Sequence, residues 1–251
     1  MSKYATYPSL ENRVVLISGG ASGIGEAMVT AFAGQGAKVG FIDINADAGQ
    51  TLADDLGPNV HFEKADVKDI PAFEAAIEKI RRILGTPTVL VNNAAHDERH
   101  WMAEVTPDYF DDRIAVNFRH YFFAIKALRD GMKAEGGGSI INFSSTSWME
   151  GTDALTVYAA AKAACHGLTR AMRHDLGADN IRINTVIPGW VMTERQKELW
   201  VSDEGLKHRL GIQSLKTLLQ PEHLARTVLF LAADDSEMST GHMYHVEAGC
   251  V

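Results

Sequence analysis

Short apolar runs alternate along the chain with longer stretches in which apolar residues recur every three or four positions. The short runs fall at 13–18 (RVVLIS), 38–42, 60–64, 88–91, 138–143, 181–187 and 241–246, and most are closed by Gly, Ser, Asn or Asp. Runs of that length bounded by turn residues predict buried strands. Between them the pattern predicts helices over 26–33, 70–84, 106–135, an alanine-rich segment around 158–162, and 221–232. Strand and helix in strict alternation point to an α/β fold: one doubly wound parallel sheet of about seven strands with helices on both faces. Ligands of such sheets bind outside the carboxyl ends of the strands. The segment at about 190–219 is charged but carries Trp190, Trp200 and several leucines, which predicts a helical lid over that edge.

Composition narrows the picture. A chain of 251 residues with 46% hydrophobic content can bury one large core, and 1–251 is expected to form a single domain. A formal net charge of −8 argues against nucleic acid or an anionic membrane surface as partner, because phosphates need basic patches. Cys165 and Cys250 are too few and too far apart for a disulfide framework or a metal site. The start, 1–10, lacks a basic region followed by an apolar one, and no uncharged run reaches membrane-spanning length, so a cytoplasmic protein is expected.

The first strand leads directly into Gly19, Gly20, Ala21, Ser22, Gly23, Ile24 and Gly25, and then a helix. Such a turn lets backbone approach a pyrophosphate while the helix N-terminus offers amide donors. Asp43 ends the second strand, eighteen residues past Gly25. A carboxylate there suits the adenosine ribose hydroxyls and repels a 2'-phosphate, which favours NAD over NADP; capping of the next helix is its structural alternative. Asp66 and Val67 end the third strand, suited to the adenine edge, with helix capping again the alternative for Asp66. Asn117 sits amid an apolar helical face (Ile114, Phe118, Phe122, Ile125), where it either satisfies itself as a core amide or holds a water or carbonyl near a site.

The fifth strand ends in Ser144 and Ser145, and the alanine-rich helix after it carries Tyr158 and Lys162, four apart and therefore on one face. Those three side chains suit proton abstraction from an alcohol. A phenol near pKa 10 is a weak base at neutrality, and an ammonium about 5 Å away favours its phenolate by roughly two pKa units. Ser145 would hold the substrate oxygen while Tyr158 takes the proton and hydride leaves for a nicotinamide.

Taken in order, Gly19 to Gly25, Asp43, Asp66, Asn92-Asn93-Ala94, Asn117, Ser145, Tyr158, Lys162 and Pro188-Gly189 with Thr193 resemble the short-chain dehydrogenase/reductase family over essentially the whole chain. The resemblance implies a Rossmann-type sheet and a catalytic set of Asn117, Ser145, Tyr158 and Lys162, with Asn117 supporting a water-linked proton exit. It also implies a cofactor set of Gly19, Ser22, Gly23, Ile24, Gly25, Asp43, Asp66, Val67, Asn93, Ala94, Tyr158, Lys162, Pro188, Gly189 and Thr193. Lys162 would hold the nicotinamide ribose, with Ile187 and Thr193 bracketing the carboxamide. A homotetramer is implied through the helices bearing Asn117 and Tyr158. Ser18 and Ala95 depart from the family's usual Thr and Gly. Tyr7 to Leu10, Asp97, Arg99-His100, Ser147-Trp148 and Arg195-Gln196 further resemble NAD-dependent aldose 1-dehydrogenases.

The strand-end loops are expected to supply the substrate wall, the alternative being that their charged residues solvate exposed loops and the tryptophans anchor the lid. His96, Ser145, Ser147, Trp148, Tyr158, Trp190 and Arg195 mix hydrogen-bonding groups with flat apolar surface, as a sugar or polyol requires and a steroid pocket does not. The expectation is oxidation of an aldose at C1 to an aldonolactone. A polyol or secondary alcohol dehydrogenase, a carbonyl reductase, and a non-catalytic dinucleotide sensor are the alternatives.

Overall fold

In the computed structural model, residues 3–251 are described; the first two residues of the expected 1–251 unit lie outside them. Seven parallel strands form one sheet: β1 (Val14–Ser18), β2 (Lys38–Asp43), β3 (Val60–Lys64), β4 (Val89–Asn92), β5 (Gly138–Phe143), β6 (Ile181–Pro188) and β7 (Met243–Val246). Their order is β3-β2-β1-β4-β5-β6-β7, so the direction of winding reverses beside β1 and opens a crevice there. Ser18 pairs with Ile42 on one side and with Asn92 on the other, which brings the ends of β1, β2 and β4 level.

Both faces of the sheet are buried, and strand alternation assigns each residue to one of two cores. Val15, Ile17, Val89, Val91 and Ile141 pack with Met28, Val29 and Phe32 of α1 (Gly23–Gly34) and with Leu224 and Val228 of α10 (Pro221–Ala232). Leu16, Leu90, Ile140 and Ile183 pack on the other face. Their partners are α3 (Ile70–Leu84), α5 (His120–Ala134) and α7 (Thr156–Gly177). Helix α2 (Ala46–Leu56) follows β2, and α6 (Ser147–Glu150) is a single turn after β5. The 190–219 segment contains α8 (Glu194–Leu199) and α9 (Asp203–Ile212).

Three local expectations change. Helix α1 begins at Gly23, not at residue 26, because the glycines themselves form its first turn. The last strand begins at Met243, since Gly241 has a positive φ and turns the chain. The expected helix over 106–135 is three pieces: α4 (Pro107–Ile114), a π turn at Ala115–Arg119, and α5. The extra residue in the π turn rotates α5 about its axis. Along α5, Phe122 is 43% exposed, and His120, Tyr121, Ala124, Ile125, Leu128 and Met132 are buried.

Candidate active site

The glycine turn is held from two sides. Gly19 and Gly23 adopt φ of 71° and 57°, and a Cβ at Gly25 would stand 1.8 Å from the Gly19 carbonyl oxygen, so any side chain there would break the turn. The Ser18 hydroxyl accepts the N–H groups of Asn93 and Ala94 at 3.1 and 3.2 Å, and the Asn93 amide donates to the carbonyls of Ser18 and Gly19. Ser18 therefore does with one hydroxyl what lacing β1 to β4 requires, and the turn is fixed before any ligand arrives. Ser22, at the N-cap of α1, makes no capping bond, which leaves that helix end open toward the crevice.

Neither acidic strand end is a helix cap. Asp43 accepts the N–H groups of Ala21 and Asn45, both at 3.0 Å, while Asn45 caps α2. Asp66 accepts the Lys68 N–H at 2.9 Å, and Asp69 caps α3. Both carboxylates thus face a cleft of about 860 Å³ that runs along the strand ends.

Every residue of the expected cofactor set lines that cleft, from Gly19 and Asp43 to Pro188, Gly189 and Thr193. His96, Ser145, Ser147, Trp190 and Arg195 line it as well. Three expected residues do not. Ile187 is buried in β6. Trp148 donates its indole N–H to the Ser144 hydroxyl, which itself donates to the Lys162 carbonyl, so Trp148 braces α7 rather than forming the cleft wall. Asn117 is fully buried: its oxygen accepts the His96 N–H at 2.8 Å, and its amide donates to the carbonyls of His96 and Arg113. Both amide hydrogens are thus engaged and its oxygen accepts one bond, so the side chain fixes the loop that presents His96.

At the floor, Ser145 follows β5 while Tyr158 and Lys162 project from the first two turns of α7. The Ser145 oxygen accepts the Ser147 N–H at 3.1 Å. Lys162 is 1% exposed; its Nζ stands 5.8 Å from the Tyr158 ring centroid and donates to the Phe143 carbonyl and the Tyr121 hydroxyl. Burial lifts the Tyr158 phenol well above the usual range, the Asp97 carboxylate adds to this, and the hydrogen bond from Ser145 opposes it. Burial also draws Lys162 below its ordinary value. In the protein without a cofactor, burial is the largest influence on the phenol and acts to raise it.

The substrate end holds charges that are matched. Asp97 takes Arg195 at 3.3 Å and the Gln196 amide at 2.6 Å, and Gln196 accepts the Trp190 indole N–H. Glu150 pairs with Arg209 through two bonds, and Arg99 stands 5.1 Å from the Trp200 ring. His96 accepts from Arg113 and is held below its usual pKa by burial and by that guanidinium. The Ser147 hydroxyl is buried, lines the cleft and has no protein partner among the described residues. No group of side chains that could hold a metal ion occurs among them either. Tyr121, Arg113 and Arg209 are residues at the site that sequence reasoning missed, while Gln196 entered it only beside Arg195 in the resemblance; for Tyr121 the one available signal was its place four residues after Asn117.

Residues 19–251 match the family model described as enoyl-(acyl carrier protein) reductase. The D-xylose 1-dehydrogenase of Caulobacter vibrioides is 44% identical, with 98% of each chain covered. A probable galactose dehydrogenase GalD of Rhizobium meliloti is 40% identical over 97% of this chain and 96% of that one. Among solved structures, 7α-hydroxysteroid dehydrogenase complexed with NADH and 7-oxo glycochenodeoxycholic acid superposes with a TM-score of 0.92 at 28% identity, covering 97% of this chain and 96% of that chain.

Proposed function

Since the chain belongs to the short-chain dehydrogenase/reductase family, we propose that it oxidises the C1 hydroxyl of a neutral aldose to the aldonolactone, with NAD as hydride acceptor. The observation that carries this reading is the meeting of Ser145, Tyr158 and Lys162 at the floor of a cleft whose outer wall is polar and flanked by Trp190 and Trp200. Relatives named for D-xylose and galactose support the substrate class.

The residues fit a dinucleotide. The N-terminus of α1 at Ser22 carries no side-chain cap and lines the cleft, and Asp43 presents a carboxylate at the second strand end. Asp43 would take the ribose hydroxyls, the 19–25 turn the pyrophosphate, Asp66 and Val67 the adenine edge, and Lys162 the second ribose. Asn93 and Ala94 would wall the nicotinamide side, with Pro188, Gly189 and Thr193 at its carboxamide. When bound, NAD supplies a pyridinium charge and the two-electron acceptor. Ser145 orients the sugar oxygen. Tyr158 accepts the hydroxyl proton as the C1 hydride departs, Lys162 stabilises the resulting charge, and water exclusion strengthens each interaction. His96, Ser147, Trp190 and Arg195 bind the remaining hydroxyls and the CH face. The pairing of Arg195 with Asp97 and of Arg209 with Glu150 favours a neutral ligand over a sugar acid.

The finer reading is a cytoplasmic homotetramer. No helix among the described residues is long and apolar enough to cross a membrane, and Phe110 and Phe122 on α4 and α5 are 45% and 43% exposed, as an intersubunit face would require. Light scattering that returned a monomer would remove the tetramer.

The test is NADH absorbance across pentoses, hexoses, deoxyhexoses, polyols and ketones, with Tyr158→Phe alongside. Turnover of aldoses with NAD, lost in the variant, is expected. Activity confined to polyols or ketones would overturn anomeric oxidation, and equal rates in the two proteins would favour a sensor.

A further inference from the structure

The Lys162 ammonium is enclosed by protein, and two oxygens receive it: the Phe143 carbonyl at 3.1 Å and the Tyr121 hydroxyl at 3.0 Å. Tyr121 is itself fully buried and donates to the same Phe143 carbonyl at 3.1 Å. The three groups close a small triangle at the end of β5. The ammonium is 5.2 Å from the Tyr121 ring centroid and 5.8 Å from that of Tyr158, so two aromatic faces are within reach of one cation.

We propose that Tyr121 is a positioning residue for Lys162: its hydroxyl oxygen holds the buried ammonium beside Tyr158 and keeps it charged there. A desolvated cation needs acceptors, and a single carbonyl leaves it underserved. A phenol is a suitable second acceptor because it stays neutral. Burial lifts the Tyr121 phenol far from any working pH, so it offers a lone pair without becoming a competing base. With two N–H groups of Lys162 engaged in this way, the third remains for the cleft. Tyr121 rather than Phe122 points into the core, on the same buried side as Asn117 four residues earlier. A tyrosine that merely filled space would need its ring and not its oxygen.

This inference rests on the proposed reaction, and Tyr121→Phe tests it by removing one oxygen while keeping the ring. Losing an acceptor destabilises the ammonium, which weakens the positive charge beside Tyr158 and makes the phenol harder to ionise. The rising limb of kcat/KM against pH is expected to move up by about one pH unit, with kcat near neutrality down about tenfold and KM for the sugar unchanged. NADH binding by the protein, read by fluorescence, is expected to weaken about threefold and to become more pH-dependent, because Lys162 is less often charged. In a Lys162→Met background the same change should have no further effect on either readout, which separates action through Lys162 from general loosening. A pH profile that superimposes on wild type, with or without a lower Tm, would reduce Tyr121 to packing. Should the wild type oxidise no sugar, the reaction assignment fails by itself, and the NADH isotherms still decide whether Tyr121 acts through Lys162.

Discussion

His100 Nε2 accepts the backbone N–H of Val157 at 3.0 Å, one residue before Tyr158. Helix α7 has no side-chain cap of its own at Leu155, so a residue 57 positions upstream supplies the missing acceptor. The ring proton is consequently on Nδ1, which donates to the Glu98 carbonyl at 3.0 Å with the Tyr109 oxygen equally close. The His100 N–H completes the stitch on Ala154 at 2.8 Å.

Loss of that cap is expected to loosen the turn that carries Tyr158. His100→Ala should cost about 1 kcal/mol and lower Tm by roughly 2–4 °C, with kcat falling more than sugar KM rises. His100→Gln, which restores an acceptor, should recover part of both. Calorimetry and steady-state kinetics check it, and a Gln variant no better than Ala would argue against the capping role.

Asp43 is expected to set cofactor choice. A 2'-phosphate about 5 Å from its carboxylate is opposed by roughly 3 kcal/mol, so kcat/KM should favour NAD over NADP by about a hundredfold. Asp43→Asn keeps an acceptor but removes the charge, and the ratio should shrink by at least about tenfold. The ratio of the two kcat/KM values, measured at one sugar concentration, is the readout.

The pH dependence is expected to arise from Tyr158 and Asp97. Burial and the Asp97 carboxylate both raise the phenol, so the free enzyme holds it neutral near neutrality and kcat/KM should climb about tenfold per pH unit on the acid side. Asp97→Asn removes a negative neighbour and should move that limb down by a few tenths of a unit. The same change weakens the hold on Arg195 and Gln196, so sugar KM should rise about three- to tenfold. A limb that shifts upward would contradict the electrostatic assignment.

His120 should govern acid stability. Buried and edge-on to Phe73 and Tyr121, its pKa is pushed down to about 3, chiefly by burial and then by the Lys162 charge. Folding therefore favours the neutral ring, and its contribution is complete above the unfolded pKa of about 6.5 and is lost as pH falls toward about 3, by at most about 5 kcal/mol. His120→Gln, which keeps a donor for the Ala94 carbonyl, should flatten Tm against pH in that interval.

What could be read from the chain was local. The 19–25 turn, Asp43 at a strand end and the four-residue step from Tyr158 to Lys162 each declare themselves through short-range geometry. Strand-helix alternation likewise indicated the parallel sheet, because β-branched runs that must bury both faces carry no polar alternation. Even there, sequence distance could not separate capping from ligand roles for Asp43 and Asp66. Asn45 and Asp69 turned out to be the caps.

The chain by itself therefore determined the order of strands and helices, the strand ends at which chemistry collects, and the three side chains that meet there. Only the tertiary structure decided what those side chains experience. Desolvation, which raises the Tyr158 phenol in the protein without cofactor, belongs to the packed environment and to no short segment. The roles of Tyr121, His100 and Trp148 were equally out of reach. Each depends on its actual hydrogen-bond partners, for Tyr121 and His100 across 41 and 57 positions, a separation that no local pattern in the chain spans.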